Sequence, residues 1–250
     1  MKIVVTLLPA ALLTLAACGA DSNPTEVSEP KASSSPSENA EAAIQTYRIT
    51  LRNLASGQPL SPGVAATHTK DVTVWRMGSA ASEGIRLIAE NGEQTTAVTT
   101  LRATPGVFDV VDIAVPTNRV GGQAPLPNPQ SFEIRARGNA NRLSLAVMLI
   151  CTNDGFTGLS TVKLPGGFRP EEHLVGAYDA GTEQNNERFN QIVDPCTTIG
   201  PVTAPPDGNG RVATSDVIRM HPNIQGVGDL SVEQHGWTFP VAQITVQRLR

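Results

Sequence analysis

The run from Arg142 to Cys151 constrains this chain more than any other stretch. It carries Leu143, Leu145, Val147, Met148, Leu149 and Ile150 with almost no polar interruption. A strand exposed on one face alternates apolar with polar residues, so an unbroken run reads as a strand covered on both faces. Thr152-Asn153-Asp154-Gly155 follows directly. Asp and Asn side chains bond to nearby backbone and glycine tolerates left-handed angles, so the run ends in a sharp loop. A carboxylate held there rests on the best-packed part of the fold, and Asp154 is the first candidate for function.

Around that strand, the 22 Gly and 19 Pro of the 250 residues favour many short strands joined by turns over long helices. The expected class is all-β, a sandwich with one or two short helices inserted. Net charge is -4, and residues 19 to 43 hold Asp21, Glu26, Glu29, Glu38 and Glu41 against Lys31 alone. Without that segment the chain is nearly neutral, so it lacks the basic face that phosphate binding needs, and nucleic acid is set aside as a partner.

Residues 1 to 17 have an early Lys2 and then an apolar run from Ile3 to Ala17. That pattern predicts a secretory leader, too short to be a membrane span. Leu15-Ala16-Ala17-Cys18 resembles the lipobox of bacterial lipoproteins, which makes Cys18 the expected lipidation site. Residues 18 to 43 contain no aromatic residue and one isolated Val27. Such a segment buries too little surface to offset chain entropy, and it is expected to be a disordered tether of about 25 to 30 Å root-mean-square span.

The folded domain is expected over 44 to 250. Tyr47, Ile49 and Leu51 alternate with polar residues as a first strand should. Gln58 to Gly63 reads as an irregular connection, Val64 to His68 as strand, and Asp71 to Trp75 as a weaker strand. Ala81, Ile85 and Ile88 recur at helical spacing before Asn91-Gly92, predicting a helix over 79 to 91 and a second over 93 to 103. Strands are expected at 107 to 111, 131 to 136 and within 168 to 177, with a closing strand over 241 to 249. Outside the cytoplasm Cys151 and Cys196 would oxidise, so one disulfide is expected, the alternative being two buried thiols.

Several catalytic patterns fail on inspection. His68, His173, His221 and His235 are scattered, and Glu171-Glu172-His173 lacks the second histidine of a zinc protease motif. Gly158-Leu159-Ser160-Thr161-Val162 lacks the last glycine of a nucleophile elbow. No Lys-Ser or Lys-Thr follows Asp207-Gly208-Asn209-Gly210, so that stretch is a turn and not a phosphate loop.

Three segments taken together resemble the spondin N-terminal domain: Asn141 to Leu149, Asn153-Asp154-Gly155-Phe156-Thr157-Gly158-Leu159, and Tyr178-Asp179-Ala180-Gly181-Thr182-Glu183. Leu60-Ser61-Pro62 and the tail from His221-Pro222 to Asp229 add to it. The resemblance implies a secreted β-sandwich of two antiparallel sheets that holds calcium at one loop end, with its ligands falling on Asp154, Asp179 and Glu183. Animal members carry Asp where Glu183 stands. Calcium takes about six to eight oxygen ligands, and acids on two loops with Gly181 between Asp179 and Glu183 suit it better than zinc.

The expected function is a lipid-anchored, calcium-binding module of the cell envelope. It would sit at the outer membrane and bind a surface polymer, matrix component or partner protein, and it would not be an enzyme. Two other readings stay open: a glycan hydrolase using two of the three acids, and calcium-dependent attachment to anionic lipid, for which Phe156 is the apolar loop-tip residue.

Overall fold

The computed structural model describes residues 43–206 and 208–250. The leader at 1 to 17, Cys18 and the tether to residue 42 lie outside the described residues. The strands are β1 (Ile44–Asn53), β2 (Leu60–His68), β3 (Val107–Ile113), β4 (Gln130–Arg137), β5 (Arg142–Leu149), β6 (Gly155–Lys163), β7 (Glu171–Val175), β8 (Ala177–Asp179), β9 (Arg219–Met220) and β10 (Ala242–Arg248). They form two antiparallel sheets, one in the order β4-β1-β10-β7 and one in the order β3-β2-β5-β6-β8-β9. The all-β sandwich expected from the sequence is the fold observed.

β5 shows why its sequence has no polar alternation. Leu143, Leu145, Val147 and Leu149 point between the sheets, where they meet Ile49 and Leu51 of β1, Ile134 of β4 and Ile244 of β10. Ala146 and Met148 point the other way, into a second core against Ile85, Ile88, Val98 and Leu101. Each fully buried Leu or Ile here contributes about 1.5–3 kcal/mol by leaving water.

That second core is closed by α1 (Glu83–Asn91) and α2 (Thr95–Ala103), which cover the outer face of the six-stranded sheet. Ser82 caps α1, accepting from the Ile85 N–H at 3.4 Å, and Gly92 ends it in the left-handed conformation. Gly84 sits inside the helix because a Cβ there would come within 2.7 Å of the Ala97 Cα, so its absence lets the two helices touch.

The structure corrects two of the expected connections. Residues 60 to 63 belong to β2 and are not an irregular link. Pro62 has no N–H for the ladder, and a bulge between Leu60 and Gly63 absorbs it while the Ser61 hydroxyl accepts the Met148 N–H at 2.9 Å. Residues 71 to 75 are not a strand but irregular chain, with a turn at Asp71 and a bend at Val74. Trp75 anchors them through its side chain, with its indole N–H on the Leu145 carbonyl at 3.2 Å and its ring 5.1 Å from that of Phe156.

Cys151 and Cys196 form the expected disulfide, joining the loop after β5 to the short helix α3 (Pro195–Ile199). Gln58 is fully buried beside it, accepting from the Cys151 N–H at 2.9 Å and donating to the carbonyls of Cys151 and His235. His235 closes another short helix, α4 (Val232–His235). One buried amide thus ties the disulfide loop to the C-terminal part of the chain.

Candidate metal centre

The turn after β5 is held by Thr152, whose hydroxyl donates to the Leu149 carbonyl at 2.6 Å and accepts from the Gly155 N–H at 2.9 Å. This places Asp154 immediately before β6. β8 pairs with β6 in a register that sets Gly155 opposite Asp179, and the Ala180 N–H reaches the Asp154 carbonyl at 3.0 Å. Asp154 and Asp179, far apart in sequence, therefore end up at one end of the larger sheet.

The chain then turns sharply through Ala180-Gly181-Thr182. Asp179 Oδ1 accepts from the Gly181 N–H at 2.7 Å, and Gly181 adopts a φ of 73°. A Cβ on Gly181 would also come within 2.8 Å of the Asp216 and Val217 backbone, so conformation and space both require glycine. The turn aims the N–H groups of Thr182 and Glu183 at Asp154 Oδ2, at 2.7 and 3.1 Å. Glu183 is fixed by a bridge to Ala213 and turns its carboxylate inward.

Asp154, Asp179 and Glu183 are respectively 0%, 0% and 2% exposed. Burial first, then the charge of Asp179, pushes the Asp154 carboxyl up to about 6, although the N–H groups of Thr182 and Glu183 pull the other way. Burial pushes Glu183 up to about 8, against the lowering influence of Arg211, with Glu90 and Asp154 adding to the rise. Asp154 Oδ1 and both carboxylate oxygens of Glu183 accept no hydrogen bond. Buried carboxylate oxygens ordinarily find donors, so three that accept no hydrogen bond are coordination positions left open to a cation.

Asp179 differs. Its Oδ2 accepts from the Asn185 side chain at 2.6 Å and lies 3.3 Å from the Arg219 guanidinium. The three acids do not close to a ligand shell here: among the described residues the His, Cys, Asp or Glu group whose ligand atoms fall within 4.8 Å of one another is Cys151, Cys196 and His235. Its two sulfurs are bonded to each other, so it offers no thiolate pair to a metal. The donor set is hard carboxylate oxygen from two turns, which fits calcium and not a thiolate-seeking metal.

The sequence reading missed the cations around this site. Arg211 Nε lies 3.5 Å from Glu183, and its Nη1 lies 2.7 Å from Glu90 of α1, which also pairs with Arg86. Arg219 pairs with Asp179 and Asp216. No local motif announces these contacts, because Glu90 and Arg211 are 121 positions apart. Of the two tail residues without an assigned role, His221 packs its ring 5.1 Å from Trp237, and Asp229 accepts from the Phe189 N–H at 3.0 Å. Phe156 is no loop-tip residue: it is wholly buried against Trp75 and Tyr178, out of reach of a lipid surface.

Two antiparallel sheets of four and six strands, with three buried acids on the turns at one end, define the class as an all-β sandwich. Within that class, the Spondin_N family model matches residues 55–204, which is more than half of the chain, and the protein belongs to the Spondin_N family. The matched range holds all three acids, while Arg211, Arg219 and β10 lie beyond it. No curated protein matches the chain.

Proposed function

We propose that this protein is a lipid-anchored module of the cell envelope whose loop end is ordered by calcium for binding a surface polymer, matrix component or partner protein. The observation that carries the reading is the set of three buried, donor-free carboxylate oxygens on Asp154 and Glu183. Asp154 Oδ1 and Glu183 would hold the cation directly. Asp179 would join on giving up Arg219, or serve from behind by fixing the 179 to 183 turn. Bound calcium would supply counter-charge to two desolvated acids, of which Glu183 has otherwise only the Arg211 guanidinium at 3.5 Å and Asp154 Oδ1 accepts no hydrogen bond.

Burial of all three acids favours cation holding over glycan cleavage, because a saccharide cannot reach carboxylates that are 0% to 2% exposed. Binding calcium and ordering loops is also work that a rigid sandwich end suits. The anchor rests on the lipobox resemblance at Cys18, and the outer-membrane location on Gly19 following that cysteine in place of the Asp that retains many lipoproteins at the inner membrane.

Calorimetric titration of the full chain with calcium tests the reading, with magnesium as control. The expected result is one site per chain for calcium, lost in Asp154→Asn and in Glu183→Gln. Heat-silent calcium addition together with an unchanged melting curve at millimolar calcium would remove the basis for it.

A further inference from the structure

The end of the sandwich that carries the acids also carries a separate cationic bowl. Leu60 at the start of β2 pairs with Leu149 at the end of β5 and bridges to Thr117. The Ile150 N–H bonds to Pro59, so the loops 53 to 59 and 117 to 129 share that end with the Asp154 turn. Between them lies a cavity of about 450 Å³ lined by Arg52, Asn53, Asn118, Arg119, Val120 and Asn128 among others, with no Asp or Glu in its wall.

The wall is built and stapled. Asn118 is 5% exposed, and its side-chain amide donates to the carbonyls of Gly122 and Ala124 at 3.2 and 2.8 Å. Asn128 exchanges a reciprocal pair with the Asn53 backbone, accepting at 3.0 Å and donating at 3.1 Å. The Val120 N–H holds the loop to the Ala55 carbonyl at 2.9 Å. Arg119 is pinned by one Nη1 bond to the Ser56 carbonyl at 3.1 Å, and its buried Nε has no acceptor. Two arginines thus line one bowl whose wall holds no carboxylate, and a guanidinium fork is matched by a planar or tetrahedral oxyanion.

The geometry points to this bowl as a subsite for an oxyanion, the carboxylate or sulfate of an acidic polymer, recognised by Arg52 and Arg119. This deepens the binding role proposed above by naming its ligand class, and it does not require the calcium site. Preformed walls lower the ordering cost of binding.

The test uses the full chain against immobilised oligogalacturonate for carboxylate, dextran sulfate for sulfate, and neutral dextran. Saturable binding to either acidic polymer and none to neutral dextran is expected. The double variant Arg52→Gln with Arg119→Gln should lose at least about tenfold in affinity, whereas Arg102→Gln with Arg169→Gln, which removes two exposed arginines outside the bowl wall, should not. Val120→Glu places a negative charge on the rim without touching the staples, and should weaken binding even if the double variant folds poorly. Equal losses in the bowl and control variants, retention in Val120→Glu, or binding to neutral dextran would overturn the assignment. The calcium response should be intact in every bowl variant, so failure here and failure of the metal reading give separate signatures.

Discussion

Replacing Glu183 with Gln should stabilise the metal-free protein at alkaline pH, the opposite of what removing an ordinary structural acid does. The carboxyl stands at about 8 in the fold against 4.5 when unperturbed, raised first by burial. A raised acid prefers its protonated form when folded. The penalty is therefore absent below about pH 4.5, grows between 4.5 and about 8, and is constant above that. A difference of about 3.5 pH units at about 1.4 kcal/mol each sets a ceiling of about 5 kcal/mol. The amide still buries polar atoms, at a cost of about 1–3 kcal/mol, so the expected net gain at pH 8.5 is about 2 kcal/mol. Urea unfolding in the presence of a chelator, at pH 5 and pH 8.5, measures it. The gain should appear at pH 8.5 and vanish or reverse at pH 5, and calcium should stabilise the wild type but not Glu183→Gln. An equal loss of stability at both pH values would refute the reasoning, for it would make Glu183 a satisfied partner of Arg211.

Other consequences concern the same end of the fold. Asp154→Ala removes the acceptor of the Thr182 and Glu183 N–H groups and should cost about 1–3 kcal/mol in denaturant unfolding while also abolishing the calcium response. Gly181→Ala should lower stability by at least about 1 kcal/mol, because both its φ and the nearby Asp216 and Val217 backbone oppose a side chain; an unchanged melting temperature would count against the turn described. Reducing the Cys151–Cys196 bond opens a loop of 45 residues and should cost about 4 kcal/mol on the chain-entropy model, read as a drop in urea midpoint between oxidised protein and the Cys151→Ser, Cys196→Ser double variant.

Much of the fold was legible because local and global requirements agree along β5, where a run without polar residues meets two cores. The two helices were legible through Ser82, Gly92 and the apolar spacing of Ile85 and Ile88. Pro62 misled because a bulge and the Ser61 hydroxyl take over a hydrogen bond that the sequence shows only as missing. Residues 71 to 75 misled because the β-forming Val74 and Trp75 are buried by side-chain packing and not by ladder pairing. At the site, the acids were visible from their turns and from the family resemblance. Their counter-ions were not, since Glu90, Arg211 and Arg219 meet them only through tertiary contacts, and an arginine in a polar loop looks the same whether solvated or paired.

Diffraction from crystals grown with calcium, recorded at a wavelength where calcium scatters anomalously, tests the central claim most directly. The account predicts an anomalous peak about 2.3–2.6 Å from Asp154 Oδ1 and from a Glu183 carboxylate oxygen, the atoms that otherwise have no donor. Well-ordered density for both loops with no peak between those oxygens, at calcium concentrations in the millimolar range, would contradict it.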